Sequence, residues 1–210
     1  MYVYGTNVSA RVVCTSTAAE KPFVFRARLS HRLRMSTTAM PPTDLASRIQ
    51  RLEDIEAIRR LKARYFNACD RQDPETASHC FADAEVLIDM GHIGVFKRRE
   101  EFAALYRAAG CHEYILDAHH GANAEIDIIG PDQARGLWAL GFRNINTRDR
   151  TVTFLSVLYH DEYARIAGEW LITRSRVEYQ TALHLSYASG TLQALLASQS
   201  VAGAVSYSAE

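Results

Sequence analysis

The chain changes its hydrophobic period once, at Gly110, and that change restricts the folds open to it. Before it, Leu45, Ile49, Leu52, Ile55, Ile58, Leu61, Tyr65, Phe66 and Cys69 recur at spacings of three and four, which predicts a long helix with one apolar face. Asp73 before Pro74 supplies a cap and a first-turn proline for a second helix running to about Phe81, with Asp70 at the elbow. Val86-Leu87-Ile88 reads as a strand, Met90 to Gly94 as a turn, and Arg98 to Ala109 as a third helix stopped by Gly110. After Gly110 apolar and polar residues alternate. Tyr114 to Ile129 is a long or bulged strand, followed by strands over Ala134 to Asn144, Thr151 to Ile166 and Glu169 to Tyr179. The turns between them are Gly130-Pro131-Asp132, Asn146 to Arg150 and Ala167-Gly168. Trp138, Leu140 and Phe142 share one face, as do Trp170, Ile172, Arg174 and Arg176 on the last strand. Helices first and a strand meander afterwards predict an α+β fold: a curved antiparallel sheet with the N-terminal helices packed on its concave side.

Composition divides the 210 residues into three parts. Residues 1–42 carry Arg11, Lys21, Arg26, Arg28, Arg32 and Arg34 against the single acid Glu20, with many Ser and Thr and no packable period. They fit a disordered arm, a targeting peptide, or an extension ahead of a start at Met35 or Met40. Residues 43–185 hold the α+β domain, and residues 186–210 form a tail rich in Ala, Leu and Ser, partly helical, with Leu192, Leu195 and Leu196 among its anchors. Lys plus Arg equal Asp plus Glu at 24 each, and beyond residue 40 there is no basic segment, so no nucleic-acid partner is expected. Charge interrupts every apolar run before the roughly 18 residues of a spanning helix, so no membrane partner is expected either. Cys14, Cys69, Cys80 and Cys111 lack CxxC spacing and read as reduced thiols in a cytoplasmic-type protein, or an organellar one should residues 1–40 be a transit peptide.

Two stretches carry chemistry. Tyr65-Phe66-Asn67-Ala68-Cys69-Asp70 ends the long helix, and Ala118-His119-His120-Gly121-Ala122-Asn123 lies on a later strand. A carboxylate and an imidazole on separate rigid elements are what a proton-transfer site requires, since imidazole, with an unperturbed pKa of about 6.5, is a base poised near neutrality. His119 and His120 are adjacent on a strand, so one of them faces inward. Plainer uses exist for each residue. Asp70 can cap the second helix, an inward histidine can be a hydrogen-bonded core residue, Tyr65 can be core, and Arg174 and Arg176 can be a solvated sheet edge. His92, between Gly91 and Gly94, has no HxH or HxxxH companion, so no metal site is expected. Trp138, Phe142, Phe154 and Trp170 read as core and pocket wall, a lining suited to an apolar, ring-containing small molecule.

The order of elements, with Arg64 to Asp70, Asp117 to Ile126, Tyr159-His160-Asp161-Glu162-Tyr163 and Gly168-Glu169-Trp170, resembles the SnoaL-like family over roughly Arg48 to Leu185. That family has the cone-shaped α+β fold shared with scytalone dehydratase and nuclear transport factor two. Within it the chain is most similar to hexachlorocyclohexane dehydrochlorinase and the bile-acid dehydratases. The resemblance implies a His-Asp dyad made by His119 and Asp70. The dehydrochlorinase has a lysine five residues ahead of its Asp, where this chain has Tyr65, as the dehydratases do. The expected activity is therefore a cofactor-independent, dehydratase-like elimination, with Tyr65 donating a hydrogen bond to the substrate oxygen. An isomerase or cyclase using the same dyad, or a non-catalytic binding or assembly module, are the alternatives. The resemblance also implies an active-site arginine: strict alignment places Ser175 there, and a one-residue bulge would bring in Arg176, with His92, Trp138, Phe142, Phe154 and Arg174 lining the pocket. It further implies a homo-oligomer, a trimer as in those relatives; the elimination itself needs neither metal nor organic cofactor, and the sequence suggests none.

Overall fold

The computed structural model describes residues 44–83 and 86–187; the expectations for residues 1–42 and for the tail beyond residue 187 lie outside the described residues. Helix α1 spans Leu45–Asp70, helix α2 Pro74–His79 and helix α3 Arg99–Gly110. The strands are β1 (Leu87–Asp89), β2 (Val95–Phe96), β3 (Ile115–Gly130), β4 (Gln133–Asn146), β5 (Thr151–Ile166) and β6 (Glu169–Ser186). They form one curved sheet in the order β2-β1-β6-β5-β4-β3. The predicted α+β architecture is observed, with one refinement: β1 runs parallel to β6, so the sheet is mixed, while β3 to β6 form an antiparallel meander.

Local chemistry sets these boundaries. Asp44 caps α1 by accepting the Ser47 N–H at 3.0 Å, and Asp73 caps α2 by accepting the Thr76 N–H at 2.9 Å, just ahead of Pro74. The start of α1 is open, with Leu45, Ile49 and Leu52 exposed; its later turns bury Ile58, Leu61, Lys62, Tyr65, Phe66 and Cys69 against the sheet. The helix ends in a Schellman motif, Gln72 N–H to Cys69 O at 3.0 Å and Asp73 N–H to Ala68 O at 2.9 Å, with Gln72 at φ 57°. Asp54 fastens the middle of α1 to the sheet, its Oδ1 accepting from Arg165 at 2.6 Å and from the Trp170 indole at 3.2 Å.

The sheet is bulged on β6 and on β3, where the sequence predicts a long or bulged strand. On β6 the register against β5 slips at Thr173, between the pairs Glu162↔Arg174 and Tyr163↔Ile172. From there Ser175 and Val177, not Arg174 and Arg176, share the inner face with Ile172; Ser175 is 1% exposed. On β3 the register against β4 slips between Ala122 and Glu125, with Asn123 at φ 50°.

Candidate active site

The Schellman turn leaves Asp70 at the last position of α1, aimed at β3 rather than at α2, whose cap is Asp73. Gln72 holds the turn to the strand: its Nε2 donates to His112 O at 3.0 Å and to Ile115 O at 2.9 Å. Tyr106 on α3 donates its hydroxyl to Cys69 O, the carbonyl just before Asp70. With the helix end and the start of β3 so joined, Asp70 meets His119. The carboxylate accepts the His119 backbone N–H at 3.0 and 3.1 Å and lies 2.6 Å from Nδ1 through Oδ1. An ionised carboxylate only accepts, so this contact puts the imidazole proton on Nδ1 and leaves Nε2 with its lone pair. Among the described residues nothing hydrogen-bonds Nε2, and the His119 side chain is 12% exposed.

Aromatic rings frame the imidazole. Phe66 stacks on it at 5.7 Å and 16°, and Phe142, its register partner on β4, lies at 4.7 Å. Gly121 makes room for Phe66, because a Cβ there would stand 2.5 Å from that ring. Asp117 is two residues before His119 on the same strand, held by Asn144 Nδ2 at 2.7 Å, with burial pushing its carboxyl above the usual range.

Beyond Phe66 lies a second polar cluster that the sequence reading missed. Lys62 and Asp161 are fully buried, with Nζ 2.7 Å from Oδ2 as an ion pair outside aligned hydrogen-bond geometry. Asp161 also accepts from the Ser175 hydroxyl at 2.7 Å and the Tyr163 hydroxyl at 2.8 Å, and the Trp138 indole donates to Tyr163 at 2.9 Å. The remaining faces of the ammonium meet rings, Tyr159 at 3.8 Å, Phe66 at 4.9 Å and Tyr65 at 5.2 Å. Burial lowers the Lys62 pKa, against which the Asp161 charge works. A signal for this cluster was available: Lys62 falls four residues from both Ile58 and Phe66 in the apolar stripe of α1, and Asp161 sits between Tyr159 and Tyr163 on the inner face of β5.

The expected residues therefore separate into groups. His119, Asp70 and Phe142 come together. Tyr65 is buried beside the Lys62 cluster, packed edge-on against Phe81 at 5.4 Å, with its pKa raised by burial. Trp138 is buried within that same network. His92 is exposed and rests on Tyr179 at 4.7 Å. Three assignments are corrected. Arg176 points to the outer face, 44% exposed, reaching Glu178 at 3.8 Å, because the β6 bulge falls before it and turns Ser175 inward. Arg174 is exposed on that same face, beside Lys97 and Glu162 in a surface cleft of about 310 Å³. Phe154 is 42% exposed, out of step with Leu155 and Val157 on β5, so it is no part of a wall around His119.

The description of the SnoaL-like domain matches residues 50–176. A solved structure from Novosphingobium aromaticivorans DSM 12444, provisionally named scytalone dehydratase, superposes with a TM-score of 0.61 at 17% identity, covering 70% of this chain and 99% of its own. The type 2 hexachlorocyclohexane dehydrochlorinase LinA gives a TM-score of 0.61 at 18% identity over 69% of this chain and 99% of its own. The LinA type 3 enzyme of Novosphingobium barchaimii LL02 gives 0.61 at 17% identity over 70% and 98%. These likenesses are of fold. No curated protein matches the sequence. Among the described residues no helix is long and apolar enough to cross a membrane.

Proposed function

The chain belongs to the SnoaL-like domain family, and we propose that it is a cofactor-independent lyase of the dehydratase type, acting on a small, largely apolar, ring-containing substrate. The observation that carries this reading is the 2.6 Å contact between His119 Nδ1 and Asp70, which leaves Nε2 as an unclaimed base between the Phe66 and Phe142 rings. In this reading Nε2 removes a proton from carbon next to a leaving group. Asp70 fixes the tautomer and steadies the imidazolium that forms, as a carboxylate held against the far nitrogen does. The flanking rings exclude water and present flat apolar faces to a ring substrate. The likeness to structures named for dehydration and dehydrochlorination supports the reaction class.

The test is a screen of cyclic β-hydroxy ketones against the wild type, His119→Ala and Asp70→Asn, followed by product mass. Loss of 18 mass units identifies dehydration, whereas an unchanged mass identifies an isomerase or cyclase using the same base. Each substitution is expected to lower kcat about 10²- to 10⁴-fold, the usual contribution of a positioned acid or base. Retained activity in both overturns the reading.

A further inference from the structure

Elimination of water needs more than a base. When the C–O bond breaks, hydroxide is a poor leaving group unless a proton reaches it, and neither the Asp70–His119 pair nor the two arginines provide one. Asp70 is engaged with His119, and Arg174 and Arg176 lie on the other face of the sheet. The group placed to do it is Asp117. Two residues before His119 on β3, it shares that side chain's face, roughly 7 Å away at the rise of an extended strand. Asn144, opposite it in register, donates to Oδ1 at 2.7 Å and fixes the carboxyl plane. Among the described residues nothing donates to Oδ2.

We propose that Asp117 is a second catalytic residue, the acid that protonates the departing hydroxyl while His119 takes the proton from carbon. The assignment rests on the elimination reading above. In the step, Nε2 of His119 gains the carbon-bound proton, the C–H electron pair becomes the second bond of the alkene, the C–O bond breaks, and the Asp117 proton completes a water molecule. His119 is left as imidazolium and Asp117 as carboxylate, and the return of the proton from the first to the second, through the released water, restores the site. The surroundings hold the Asp117 carboxyl above its ordinary pKa. Burial raises its pKa first and the Asp70 charge adds to this, while the Asn144 bond and His119 oppose. The other titratable groups facing it, Tyr106 on α3, Cys69 on α1 and Cys111, carry no positive charge.

Leaving-group chemistry tests the role. A benzo-fused cyclic β-hydroxy ketone needs an acid; its β-acetoxy counterpart loses acetate without one. With the hydroxy compound Asp117→Asn, which keeps the Asn144 bond, is expected to lose about 10²- to 10⁴-fold in kcat. With the acetoxy compound it stays within about threefold of wild type, and the alkaline arm that the wild-type pH–rate profile shows with the hydroxy compound is absent with the acetoxy one. His119→Ala loses both reactions. Equal losses on both compounds, or no loss on either, overturn the assignment and leave the lyase reading standing. A wild type inert on both compounds removes the elimination reading and the Asp117 assignment with it.

Discussion

At the scale of single residues, what distinguishes Asp70 from Asp117 is their partners. Asp70 takes three contacts from one residue, His119, and so behaves as a fixed acceptor. Asp117 takes one side-chain amide and is half-buried, so its charge is partly withdrawn from water. A carboxyl whose folded pKa lies above its unfolded one binds its proton more tightly when folded. Its favourable contribution is therefore complete below the unfolded pKa and lost as pH rises through the folded value. Asp117→Asn, neutral at every pH, is accordingly expected to melt at a higher temperature than wild type at pH 7.5, and the gain should vanish below about pH 4. Calorimetry at the two pH values checks this; a variant less stable at both would mean that the carboxylate is better solvated than its burial suggests. Both carboxylates and His119 stood in stretches the sequence singled out, because residue type and motif order are local information. Asp117 was quoted there for its place in a motif, and only the β3–β4 register, setting Asn144 opposite it, shows that its carboxyl is held.

Elements show where sequence reading stops. Helix caps and turn glycines were legible because the backbone groups they satisfy are within a few residues. Bulges could be raised from the sequence, on β3 and ahead of Arg176, but not placed, because the extra residue is defined by a partner strand distant in sequence. Reading β6 as an unbroken alternation put Arg174 and Arg176 with Trp170 and Ile172; one slip at Thr173 exchanged the faces and turned Ser175 toward Asp161. Likewise β2, two residues long, lies between the predicted turn and the third helix, where the sequence predicts no element, and β6 runs to Ser186, well past the predicted end at Tyr179. The joint between α1 and β3 was equally hidden, for Gln72 has no motif, yet it adopts φ 57° and donates to two carbonyls. Losing two neutral hydrogen bonds costs about 1 kcal/mol each, and the left-handed cost of about 1–2 kcal/mol that Gln72 already bears persists in alanine and is relieved by glycine. Gln72→Ala is thus expected to destabilise the protein by about 2 kcal/mol and Gln72→Gly by about 1 kcal/mol less, measured by urea unfolding. Equal losses would show that the backbone at this turn is not strained.

For the molecule as a whole, the sheet has two faces with different work, and the ion pair between Lys62 and Asp161 ties α1 to the inner one. Transfer of both charges from water is costly, and their attraction offsets this only because Ser175 and Tyr163 also bond the carboxylate and aromatic rings surround the ammonium. The pair is therefore not a large net source of stability, but half of it is a large liability. Lys62→Met leaves a buried carboxylate with two hydroxyl donors and no counter-charge, and is expected to cost about 3–5 kcal/mol. Asp161→Asn leaves the ammonium among rings with no carboxylate, so it is expected to cost a similar amount. The double variant removes both charges and keeps a side-chain oxygen for Ser175, so its loss should be smaller than the sum of the two single losses, by about 1–3 kcal/mol. A urea-unfolding double-mutant cycle gives that coupling directly. Strict additivity would mean that Nζ and the carboxylate do not interact, and that α1 is held to the sheet by its apolar stripe and the Asp54 contacts alone.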